Sequence, residues 1–120
     1  MLEHRLAERP LEGLVILIVQ RRWLLARQVS AALNEKGARS LLANCPDQSL
    51  ADAPDLSAAV LDGDSPGLCR MLEARGVPYV LYTGYEPVGD ACANTTVVRK
   101  PASAEEIVGA VEQLLRPAAF

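Results

Sequence analysis

The chain has 120 residues, enough for one folded core and too few for two, half of them are apolar, and the formal net charge is −3. Lys and Arg are scattered singly or in pairs, which gives no footprint for a phosphate backbone, and the longest apolar run, Leu14 to Val19, falls far short of the roughly 18 residues a membrane span needs. Nucleic acid and membrane are therefore not expected as partners, no signal-peptide arrangement is present, and the protein is expected to be soluble and cytoplasmic.

Only one Phe, one Trp and three Tyr are present, so the core must be built mainly of Leu, Val, Ala and Ile. Cys45, Cys69 and Cys92 are an odd number at wide spacings, which matches neither a disulfide framework nor a zinc site. They are expected as reduced thiols.

Residues 1–13 are charged, contain Pro10 and end in Gly13, and so are expected to form a loose extension or short helix ahead of a domain spanning 14–120. Leu14 to Val19 has the length and unbroken apolarity of a strand buried on both faces, as in a parallel sheet. From Trp23 to Lys36 the residues Leu25, Val29, Ala32 and Leu33 recur at helical spacing, with Gly37 placed to end the helix. A second strand is predicted at Arg39–Ala43 and a third at Ala58–Leu61. A loop then begins at Asp62, in the run Asp62-Gly63-Asp64-Ser65-Pro66-Gly67.

A fourth strand is predicted at Val80–Tyr82, stopped by Thr83-Gly84, and a fifth at Thr96–Arg99, stopped by Pro101. Ser103 and Glu106 form a capping box ahead of Ile107, Val108, Val111, Leu114 and Leu115, a helix that runs until Pro117. Strands separated by helix-length segments predict an α/β domain, a parallel sheet covered on both faces. The gaps from Ala43 to Ala58 and from Thr83 to Thr96 barely exceed the dozen or so residues that a crossover requires, so the middle helices must be short.

Ligands of open α/β sheets bind beyond the carboxyl ends of the strands. Those ends present Gln20, Arg21 and Arg22, then Asp62, Thr83, and Lys100-Pro101. In this order and spacing the chain resembles the receiver domain of two-component response regulators. The resemblance covers Leu14 to Arg116 and is carried by Ile16-Leu17-Ile18-Val19, Ala59-Val60-Leu61-Asp62 with Pro66 following, Val80-Leu81-Tyr82-Thr83-Gly84, and Val97-Val98-Arg99-Lys100-Pro101.

The resemblance implies a flavodoxin-like, doubly wound five-stranded parallel sheet in the order 2-1-3-4-5. It makes Asp62 the phosphoacceptor, a carboxylate nucleophile charged by a histidine kinase or phosphotransferase. Gln20, Arg21, Asp64, Thr83, Lys100 and Pro101 would surround it. Thr83 would hydrogen-bond a phosphoryl oxygen, Lys100 would ion-pair with Asp62 or its phosphate, and the Lys100–Pro101 bond would be cis.

Two departures bear on function. Receivers carry two adjacent acidic residues after the first strand to hold Mg²⁺, and here those positions are Gln20 and Arg21, followed by Arg22. The pocket changes sign, so no tight Mg²⁺ site is expected, and the Arg21 guanidinium is expected to fork onto Asp62 unless both arginines simply form a solvated helix start. Many receivers also place an aromatic switch residue three positions before the lysine, where this chain has Val97.

A calcium-loop pattern in Asp62, Asp64, Gly67 and Glu73 is spoiled by Pro66 at a ligand position and by the strand before it. The sole histidine, His4, lies in the extension, and no phosphate loop, nucleophile elbow or metal-ligand pair is present, so no enzyme and no catalytic residue is expected. Two functions stay open. One is a pseudo-receiver working by protein–protein interaction without a cofactor. The other is a single-domain response regulator phosphorylated on Asp62, with Mg²⁺ as its cofactor. Either would take a histidine kinase, a phosphotransferase or a downstream regulator as partner, and a homodimer is also open.

Overall fold

A computed structural model describes residues 10–45, 50, 53–63, 65–84 and 95–116. Its elements, in chain order, are β1 (Val15–Val19), α1 (Trp23–Glu35), β2 (Arg39–Ala43), β3 (Ala58–Asp62), α2 (Pro66–Ala74), β4 (Tyr79–Thr83), β5 (Thr96–Arg99) and α3 (Ala104–Leu115). The five strands form one sheet in the order β2-β1-β3-β4-β5, and every neighbouring pair is parallel. This is the doubly wound, flavodoxin-like order, which brings the carboxyl ends of β1, β3, β4 and β5 to one edge of the sheet.

Because side chains alternate across a strand, the apolar runs of β1, β3 and β4 feed two cores. Ile16, Ile18, Ala58, Val60, Val80 and Tyr82 face one side, where they meet Ala26, Val29 and Leu33 of α1 and Ile107, Val108 and Val111 of α3. Leu17, Val19, Ala59, Leu61, Tyr79 and Leu81 face the other, against Leu68, Cys69 and Leu72 of α2. Each large aliphatic side chain buried in this way contributes about 1.5–3 kcal/mol, so most of the stability resides in these two layers.

The helix ends follow local chemistry. Gly37 takes a left-handed conformation at φ +97, which lets its N–H reach Asn34 O at 3.0 Å and Ala38 N–H reach Leu33 O at 3.1 Å, closing α1. Ser103 caps α3, its Oγ accepting from Glu106 N–H at 3.1 Å as the capping box predicts.

Three features differ from the sequence expectations. Of the segment 1–13, expected as a loose extension or short helix, residues 10–13 are described, and there Leu11 is 2% exposed in the α1–α3 core, with its N–H donating to Lys36 O at 2.9 Å. Leu11 follows Pro10 and falls at no regular spacing from Leu2 and Leu6, so this burial left no pattern to find. Asp62 is the last residue of β3 rather than the first of a loop, and Pro66 opens a helix. Pro at the first helical position lacks only an N–H that would be unsatisfied anyway, which is why a stretch of turn formers is here also a helix start. Finally, Cys45 is a free, exposed thiol, but Cys69 is fully buried and disulfide-bonded rather than reduced. Among the described residues no helix is long and apolar enough to cross a membrane.

Candidate functional site

The site lies where β1, β3, β4 and β5 end. Asp62 closes β3 opposite Tyr82 of β4, and its side chain is only 8% exposed. A carboxylate this enclosed requires partners, because burying an unpaired charge costs several kcal/mol, as an order of magnitude. It has one on each oxygen. Lys100 Nζ donates to Oδ1 at 2.6 Å, and the main-chain N–H of Arg21 donates to Oδ2 at 3.4 Å.

Lys100 is aimed at Asp62 by its surroundings. Its N–H donates to Thr83 O at 2.7 Å, tying the end of β5 to the end of β4, and the cis peptide to Pro101 turns the chain there. The Nζ also lies 5.1 Å from the centroid of the Tyr82 ring, a cation–π contact, and the Tyr82 hydroxyl accepts from Ala102 N–H at 3.3 Å. Thr83, 8% exposed, follows Tyr82 at the tip of β4. Next to it the Arg99 guanidinium donates to Gly84 O.

Gln20 takes the place where a carboxylate would stand. It is 4% exposed, its N–H prolongs β1 by bonding Ala43 O at 2.9 Å, and its Oε1 accepts from Arg22 N–H at 3.0 Å. Arg22 is the N-cap of α1 and supplies no side-chain cap of its own, so the neutral Gln20 amide stabilises the turn into the helix.

The expected guanidinium fork between Arg21 and Asp62 does not form. Arg21 is exposed, and among the described residues its side chain makes no ion pair. The reason is geometric: Lys100 already fills Oδ1, and the turn out of β1 presents the Arg21 amide to Oδ2 while sending the side chain outward. Gln20, Arg21, Asp62, Thr83, Lys100 and Pro101 thus gather at one edge of the sheet, whereas Asp64 lies outside the described residues. Tyr82 and Ala102 complete the arrangement and were not singled out from sequence. The signal was there in Tyr82, since a buried tyrosine at a strand end needs a partner for its hydroxyl.

The described residues of this cluster do not fit Mg²⁺. That ion needs several oxygen ligands at about 2.0–2.1 Å in near-octahedral array. Among the described residues of the cluster Asp62 is the one carboxylate, both of its oxygens accept hydrogen bonds, and the Gln20 oxygen is committed to Arg22 N–H. No group of three His, Cys, Asp or Glu among the described residues could hold a metal. The calcium-loop pattern runs into a helix, since Gly67 and Glu73 both belong to α2, and its Asp64 lies outside the described residues.

Comparison with known proteins places the architecture. No family model and no curated protein matches the chain. Among solved structures it is similar to an orphan response regulator of H. pylori, at 14% identity and a TM-score of 0.73, covering 87% of this chain and 98% of that one. A two-component response regulator from Clostridium difficile matches at 21% identity and a TM-score of 0.70, covering 87% and 97%. The chemotaxis protein CheY4 of Vibrio cholerae matches at 15% identity and a TM-score of 0.71, covering 85% and 98%. At these identities the likeness establishes the fold.

Proposed function

We propose that this chain, which has the fold of a response-regulator receiver, is a signalling module of the two-component type that works by protein–protein contact without Mg²⁺-dependent phosphorylation. One observation supports this above the others. Asp62, the phosphoacceptor-like carboxylate, is held on Oδ1 by Lys100 and on Oδ2 by the Arg21 amide, while a neutral glutamine and an outward arginine take the positions of the acidic pair. Phosphoryl transfer to a carboxylate brings two anions together, and a divalent cation normally offsets that repulsion. Here the lysine stays on Asp62, but among the described residues no second carboxylate stands beside it to recruit a divalent cation. The partner class is a histidine kinase, a phosphotransferase or a downstream regulator, recognised by shape and surface, and the module performs no catalysis of its own.

The alternative is a phosphorylated regulator. Asp62, Thr83 and Lys100 lie at the same sheet edge, with Lys100 close enough to neutralise a phosphoryl group. Incubation with a small-molecule phosphodonor and Mg²⁺ followed by intact-mass measurement separates the two, with Asp62→Asn as the control. The proposal expects no added phosphate mass and no Mg²⁺-dependent change in melting temperature. A phosphate adduct absent from Asp62→Asn would overturn it in favour of the alternative.

A further inference from the structure

The first turn of α1 carries a feature that the Asp62 cluster does not use. Trp23, the only tryptophan of the chain, is 66% exposed, and across from it on the edge strand β2 Leu42 is 51% exposed. Between them runs a groove of about 590 Å³ with Ala26 and Ala43 also lining it, and with Gln20, Arg27 and Asn44 as its polar lining. It is formed because Trp23, Ala26, Arg27 and Ser30 share one face of α1, and Ser30 meets Ser40 of β2 through a 2.6 Å hydroxyl contact below the groove. The ring of Trp23 is held by the Arg27 guanidinium 5.8 Å from its centroid. An exposed tryptophan costs solvation free energy in the isolated chain, and Trp and Arg beside an apolar floor are the side chains that most often anchor protein interfaces.

The charge of this face is one-sided. Arg21 and Arg22 stand at the positive end of the α1 dipole with Arg27 one turn further in, the first turn holds no acidic residue, and none of the three is ion-paired among the described residues. Cations without an acidic partner among the described residues favour an anionic visitor there. They also disfavour a second copy meeting this face across a two-fold axis, which would set arginine against arginine. The apolar patch is small, Trp23 and Leu42 flanking Ala26 and Ala43, which suits one bulky side chain better than a lipid surface.

We propose that the groove between α1 and the edge of β2 is a docking site for an acidic segment of a partner protein, a bulky apolar side chain entering beside Trp23 and flanking carboxylates meeting Arg22 and Arg27. This site adjoins the Asp62 cluster at Gln20 but does not include Asp62, and it does not require Asp62 to be phosphorylated. The test is selection from a random peptide display library on the purified full chain, with Trp23 fluorescence as the binding signal. Arg27→Glu and Leu42→Ser serve as comparison proteins once their melting temperatures match that of the parent. Enriched peptides should combine acidic residues with a bulky apolar one, shift Trp23 emission, weaken as salt rises, and bind each variant about tenfold or more less tightly. No enrichment, enrichment without acidic bias, or full affinity for Arg27→Glu overturns the proposal. It is equally overturned by self-association in light scattering, or by sedimentation with phosphatidylserine vesicles, that Arg27→Glu abolishes, since the face would then belong to a second copy or to a membrane.

Discussion

Replacing Lys100 by Met removes the ammonium from Asp62 and keeps most of the side-chain volume. Unit charges about 4 Å apart attract by about 4 kcal/mol at an effective dielectric near 20. The Asp62 carboxylate is 8% exposed, so its desolvation offsets part of that gain, and Lys100 is 39% exposed, so water screens another part. The net coupling is then about 1–2 kcal/mol. Lys100→Met alone leaves the carboxylate with only the Arg21 N–H at 3.4 Å, and should cost about 2 kcal/mol, or about 8 °C in melting temperature for a domain of this size. The assay is urea unfolding of the parent, Lys100→Met, Asp62→Asn and the double variant. The cycle removes what Lys100 contributes through Tyr82, because that contact is lost with or without the Asp62 charge. Additive single effects, with a coupling below about 0.5 kcal/mol, would refute the account of Asp62 as a carboxylate neutralised by its lysine.

Restoring the acidic pair with Gln20→Asp and Arg21→Asp should create a Mg²⁺ site, where the proposed function expects none in the parent. At about 10 mM Mg²⁺ a site with a Kd of about 1 mM adds about 1.4 kcal/mol, visible in thermal melts of the double variant and absent from those of the parent. An equal Mg²⁺ response from the parent would show that the present donor set suffices. Leu11→Ala should destabilise by about 2–3 kcal/mol in urea unfolding, since the side chain is 2% exposed in the core, and a neutral result would return residues 10–13 to a loose extension. Gly37→Ala should cost more than about 1 kcal/mol, because φ is +97 and an added Cβ would stand 2.7 Å from Glu12 Cα; unchanged stability would mean that the strap across the end of α1 yields freely.

Much of the fold could be read from periodicity. The apolar runs of β1 and β3 and the spacing of Val29 and Leu33 or Ile107 and Val111 are repeated signals, each residue supporting the next. The five strands and the terminal helices were legible for that reason, and the strand order came from likeness to receivers. Within the site, Asp62 and Lys100 could be placed at strand ends, and their pairing came from likeness to receivers. The role of Arg21 could not, because the interaction runs through its backbone, which every residue shares, while its side chain turns away. Leu11 and the disulfide at Cys69 depend on distant parts of the chain meeting, and neither leaves a local pattern. The helix opened by Pro66 was hidden because the same residues serve turns and helix starts.

Tyr82 has a mechanical consequence. One rigid side chain touches Lys100 through its ring and Ala102 through its hydroxyl, so the two sides of the bend that leads from β5 into α3 are braced from β4. A flexible residue there would let the lysine and the start of α3 move apart. The lysine on Asp62 and the approach to α3 therefore share a single support on β4, one side chain serving both the charged centre and the bend at the surface.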